Sequence, residues 1–270
     1  MLANLKAMRG LLLLLILAPL AAGHEDLHKQ ITEISVKIAS APNDPQFWLA
    51  RADLHQSHRD PKAARHDLLE ATLIQPPFPL AFLKLAQFER KRGEIPLAQI
   101  ALAKHLSLVT DPAPQAHREK ALLSAPAEAI EPWQHFLKSK AEPSMHDFTL
   151  AAQAAFDGED QEATREFLKS GLNRHPKSIQ LHQINARTFL AKKDAKSAEQ
   201  SFGILKLLYP NLLVKLNYEE SLIWAKHEHP THAHQALLSA LKAYHQLPAR
   251  LQKNRDLQNL VAKIQTTLRK

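Results

Sequence analysis

Histidine carries the chemistry that this chain offers most plainly. There are sixteen histidines in 270 residues and no cysteine. The stretch GHEDLH places His24 and His28 four apart, and HQSH places His55 and His58 three apart. Residues at those spacings share one face of a helix, and neutral imidazole suits Zn2+ or Cu2+. Suppose that 25–40 and 45–58 form an antiparallel helix pair turning near Pro42 and Asn43. His28 then lies beside Ser57 and His58, and His24, His28, His55 and His58, with Asp26, converge within reach of one ion. The alternative is the polar start of a helix with incidental histidines. A second run, HEHPTHAH, holds His227, His229, His232 and His234. His232 and His234 are two apart and point differently on a helix, which favours a solvated turn.

No other constellation invites catalysis. A cysteine nucleophile, GxSxG, a phosphate loop and HExxH are all missing, so the chain reads as no enzyme and no motif demands a cofactor. The carboxylates are scattered and read as solvated helix surface. With Lys+Arg at 35 and Asp+Glu at 27 there is a basic excess. It forms no block of five or six, which argues against nucleic acid as a partner.

What must position such residues is a helical scaffold. Six glycines and 6% aromatics disfavour a β-sandwich. The first residues stand apart: Lys6 and Arg9, then LLLLLILAPL, then the small residues Ala21, Ala22 and Gly23. Positive start, apolar middle and small-residue end make 1–23 a secretory signal peptide, cleaved after Gly23 or Ala22. An uncleaved anchor is the rival, disfavoured because the apolar run is short. Cleavage lowers the formal net charge from +8 to +6. It also leaves no transmembrane segment in the mature chain, and implies the periplasm or secretion. Lack of cysteine fits such an oxidising compartment.

The rest repeats. Ala64, Ala98, Ala129, Ala163, Ala198 and Ala233 recur at spacings of 34, 31, 34, 35 and 35. Four residues after each stands a large apolar side chain: Leu68, Leu102, Trp133, Phe167, Phe202 and Leu237. Ala52, Ala86, Ala151 and Ala186 make a second column, interrupted by His117 and Ser221. Pro42, Pro76, Pro176 and Pro210 close units, while Asp60–Pro61 reads as a helix start. A repeat of this length is one helix pair that cannot cover its own apolar face, so units must stack.

These residues resemble the tetratricopeptide repeat family. Trp48, Ala52, Ala64, Ala71 and Pro76 match its pattern in the first unit, Ala86, Gly93 and Ala98 in the second. Gly158, Ala163 and Phe167, then Ala186, Phe189, Ala198, Phe202 and Pro210, match it later. The resemblance implies an all-α, right-handed α-α superhelix with terminal capping helices. The units expected are 45–78, 79–109, 110–143, 144–178, 179–213 and 214–248, with caps at 25–40 and 249–269. Pro126 and Pro132 mark the unit at 110–143 as the one to be distorted.

The resemblance further implies a protein or peptide partner in a groove lined by the first helix of each unit. Carried over by position, the groove residues are Asp53, Gln56, Gln87, Arg90, Arg118, Arg187, Lys215 and Tyr218. Arg90, Arg118 and Arg187 would favour an acidic segment or a terminal carboxylate. The regular polar clamp of chaperone-binding members is missing. Three readings of function stand: an exported scaffold, a periplasmic metal-handling accessory using the N-terminal histidines, and a non-catalytic subunit of a cell-envelope enzyme complex.

Overall fold

The computed structural model describes residues 26–139 and 142–269; the signal peptide expected at 1–23 and His24 lie outside them. All regular structure there is helical. The chain divides into two compact units, one ending at Leu123 and the other starting at Ser124.

The first unit holds α1 over residues 26–40, then α2 (Pro45–Ser57), α3 (Pro61–Leu73), α4 (Pro79–Lys91), α5 (Ile95–Ser107) and α6 (Pro114–Leu123). The second holds α7 (Ile130–Lys138), entered through a 3-10 turn at Ala127–Ala129, then α8 (Met145–Asp157) and α9 (Gln161–Arg174). It continues with α10 (Ile179–Ala191), α11 (Ala195–Leu208), α12 (Leu213–Lys226), α13 (Pro230–His245), α14 (Ala249–Gln252) and α15 (Arg255–Leu268). Within the units α2 packs on α3, α4 on α5, α8 on α9, α10 on α11 and α12 on α13.

The small-residue columns explain that pairing. Ala52, Ala64, Ala86, Ala98, Ala151, Ala186 and Ala198 are all 0% exposed. A methyl group at a helix crossing lets two backbones approach, and close packing then admits no void. Large neighbours fill the remaining space: Leu68, Leu102, Phe202 and Trp224 are buried.

The turns repeat too. Arg59, Gly93, Glu159, Lys193 and Glu228 all have positive φ. Each stands between the end of one helix and the N-cap of the next. Asp60, Asp160 and Asp194 cap α3, α9 and α11, accepting backbone N–H bonds at 2.9–3.0 Å, so each helix start has one or two of its free donors satisfied.

Counting from the caps corrects one register. Ala64, Ala98, Ala198 and Ala233 each lie four residues past the cap, but so does Thr164, not Ala163, after Asp160. Thr164 is buried, and its hydroxyl donates to Asp160 O at 2.6 Å, which makes a polar side chain tolerable there. Gly158, matched above to the turn glycine, has negative φ; Glu159 takes the left-handed position instead. The reason for Gly158 is proximity: a Cβ would stand 3.0 Å from the Ala127 backbone.

The distorted stretch is where Pro126 and Pro132 forecast it, with the 3-10 turn and a nine-residue α7. The helix expected at 249–269 is in fact two, broken at Lys253 and Asn254. Asn254 turns its side chain to accept from the N–H groups of Asp256 and Leu257 at 3.0 Å. Ile264 and Val261 of α15 are buried, Ile264 in one cluster with Leu237 and Ala240 of α13. Among the described residues no helix is long and apolar enough to cross a membrane.

Two glycines test this packing. Gly158→Ala should lower stability by about 1–3 kcal/mol through overpacking. Gly203→Ala, whose added methyl would meet nothing within 4 Å, should leave it unchanged or raise it by about 0.5–1 kcal/mol. Both are read from denaturant midpoints.

Candidate binding faces and the histidine pair

The carboxylates are not all solvated, contrary to the expectation from sequence. Asp67, Glu89, Glu119, Asp147 and Glu220 are buried. In the first unit each buried acid meets an arginine. Arg51 Nε and Nη2 donate to the two oxygens of Asp67 at 2.8 Å, and Arg51 Nη1 donates to Ser35 Oγ of α1 at 2.9 Å. Arg65 Nε donates to Glu89 at 2.6 Å and Arg90 Nε to Glu119 at 2.6 Å. The hydrogen bonds from Arg51 to Asp67 raise the arginine's pKa further, so this charge is permanent. These pairs tie α1 to α2, α2 to α3, α3 to α4 and α4 to α6. A buried carboxylate demands such a partner, since an unpaired charge in the interior is costly.

Several groove residues inferred from sequence are therefore engaged within the fold. Arg90 holds Glu119. Asp53 accepts from Lys84 Nζ at 3.0 Å and from Gln56 at 3.4 Å. Gln87 is half-buried on α4, and Arg118 half-buried on α6.

In the second unit the first helices of successive hairpins, α8, α10 and α12, line a cavity of about 480 Å³. Leu150, Ile184, Leu222 and Ile223 supply apolar surface, and Leu222 is 52% exposed. Arg187 stands at its edge, donating to Gln153 Oε1 at 2.9 Å and lying 4.4 Å over the Phe156 ring. Lys226 and His227 complete a basic side. Burial chiefly, and then the charges of Arg187, Lys226 and His229, hold the His227 pKa below its ordinary value. The Glu219 carboxylate is occupied by Gln183 Nε2 at 2.7 Å and approached by Lys215 at 3.7 Å.

Of the groove residues inferred from sequence, Arg187 lines this cavity. Lys215 sits one turn before the lining residues of α12, and Tyr218 packs instead against the cluster of Leu237, Ala240 and Ile264. Glu219, Leu222 and Lys226, missed by that reasoning, carry a signal at helical spacing: an apolar residue between charges at i, i+3 and i+7.

The histidines divide. His28 of α1 and His58, the C-cap of α2, meet with Nε2 atoms 3.2 Å apart and ring centroids at 4.5 Å. His55 turns to Asp67, its Nε2 3.7 Å from Oδ2. His24 lies outside the described residues. Among the described residues no three histidine, aspartate or glutamate side chains gather as a metal site. The run from His227 to His234 is no simple solvated turn: His232 stacks on Trp224 at 4.4 Å, His229 meets its edge at 5.2 Å, and Glu199 lies 3.3 Å from His232. Lys206 Nζ lies 2.6 Å from the buried Glu220 Oε2, an ion pair.

No family model and no curated protein matches this chain. Solved structures do. PilW, a widely conserved type IV pilus biogenesis factor, superposes with TM-score 0.57 at 17% identity, covering 80% of this chain and 98% of that one. The C-terminal part of a TPR repeat-containing protein from Cytophaga hutchinsonii reaches TM-score 0.58 at 14% identity, covering 87% and 95%. Acl4, an assembly chaperone of RpL4, reaches 0.58 at 12%, covering 83% and 96%.

Two measurements probe these interactions. Arg90→Ala should cost about 2–3 kcal/mol in urea unfolding by stranding Glu119, and the double variant with Glu119→Ala should cost less than the two single effects added. A depressed histidine pKa means that the unfolded chain takes up the proton first. The stability involved is therefore intact above about pH 6.5 and lost as pH falls below it. His227→Gln should flatten the fall in thermal midpoint between pH 7.5 and 5.5.

Proposed function

We propose that this chain, whose fold is that of tetratricopeptide repeat solenoids, is a non-catalytic scaffold that binds a segment of another protein on the face formed by α8, α10 and α12. One observation carries the reading: an open cavity whose apolar floor is bordered by Arg187, Lys226 and His227. Apolar surface beside weakly compensated positive charge fits a peptide with an apolar side chain next to a carboxylate. Arg187 is already oriented by Gln153 and Phe156, so little side-chain freedom is lost when it binds. Pre-organised guanidinium suits carboxylate because it offers parallel donors. The leader-like first 23 residues support export of this scaffold to the periplasm or beyond.

Fluorescence anisotropy with labelled decapeptides that pair leucine or phenylalanine with aspartate or glutamate tests the reading. Arg187→Glu and Lys226→Glu should each weaken binding at least tenfold, about 1.4 kcal/mol, and affinity should fall with added salt. Equal affinity for the charge-reversed variants, or for peptides with asparagine and glutamine in place of the acids, would overturn it.

A further inference from the structure

We propose that His28 and His58 form a solvent-open, two-histidine site for a divalent transition-metal ion, Zn2+ in the first place, which clips α1 to α2. The site lies in the first unit, and it stands or falls separately from the peptide face of the second.

The geometry is the ground for it. Two imidazole Nε2 atoms bound to Zn2+ at about 2.0–2.1 Å, and 3.2 Å apart, subtend about 100° at the ion, close to a tetrahedral angle. Without metal, the same distance requires one ring to donate its Nε2 proton to the other. With metal, both rings take the Nδ1–H tautomer and present lone pairs. Only the donor ring therefore changes tautomer, and the pair of neutral histidines loses no net proton.

The approach of the rings is built in by bonds elsewhere along the α1–α2 pair. Arg51 of α2 donates to Ser35 of α1, and Trp48 Nε1 donates to Pro42 O at 2.8 Å. These contacts set how α1 lies against α2, and His28 and His58 meet at the end away from the turn at residues 41–44. A site pre-organised in this way loses little entropy when the ion arrives. His28 is exposed and His58 half-buried, which leaves an entry path. Asp60 adds negative charge on this side.

Among the described residues no third histidine, aspartate or glutamate completes the set. An ion bound by α1 and α2 together also stabilises their packing, since the unfolded chain has no such pair.

Zn2+ titration of the full chain, free of any histidine tag, is the test, with isothermal calorimetry and thermal unfolding as readouts. One tight equivalent and a raised unfolding midpoint are expected. His28→Ala and His58→Ala should each weaken that binding at least tenfold and remove the midpoint shift. His28→Cys should retain both, because thiolate also ligates zinc. His229→Ala and His232→Ala should bind as the parent does. The proposal is overturned if Zn2+ leaves the midpoint unmoved, if His28→Ala binds as tightly as the parent, or if His28→Cys behaves like His28→Ala while its metal-free midpoint matches the parent's. Peptide binding unchanged in His28→Ala would keep the two proposals distinct.

Discussion

Two helices joined by a three-residue turn can lie side by side only where something small stands at their crossing. In this chain that something is a buried methyl group, supplied by Ala52 and Ala64 in one hairpin, by Ala86 and Ala98 in the next, and by Ala186 and Ala198 later. Because the backbones come close, the large side chains one turn away are pushed outward into the space above the neighbouring hairpin, where Leu68, Leu102 and Phe202 find their burial. Stacking follows from the pairing. Within the second unit the first helices of successive hairpins, α8, α10 and α12, line one cavity.

The two units use this arrangement differently. In the first, arginines are consumed by buried acids, so that Arg51, Arg65 and Arg90 act as braces between helices. Geometry accounts for it: each acid lies on a face turned toward the neighbouring helix, and burying it alone would cost more than the fold can offset. In the second, Arg187 pairs mainly with the neutral Gln153 and with an aromatic ring, while Asp157 stands 3.9 Å away. Its charge is weakly compensated, and after burial, the larger cause, the same positive field helps to lower the pKa of His227.

Much of the fold was legible because a repeat multiplies a weak signal. The alanine column, the aspartate–proline helix start and the closing prolines are each common alone, and agree only in a stacked array. The errors came from single residues. Thr164 replaces alanine in the column, so counting on Ala163 shifted one hairpin by a residue. Asn254 ends one helix and starts another, where apolar spacing alone read straight through. The neighbourhood of His28 and His58 followed from the hairpin turn. The departure of His55 did not, because it depends on Asp67, a carboxylate whose burial no local pattern announces.

The amino-acid order by itself determined the helical class, the hairpin period and the identity of the small residues at the crossings, since periodicity and local capping need no knowledge of distant neighbours. Tertiary structure alone decided which charges are spent inside the fold and which remain for a partner. A guanidinium looks the same in the sequence whether it faces a buried carboxylate or an open cavity. Only the packing of α2, α3, α4 and α6, or of α8, α10 and α12, sets the distance and the dielectric that distinguish the two.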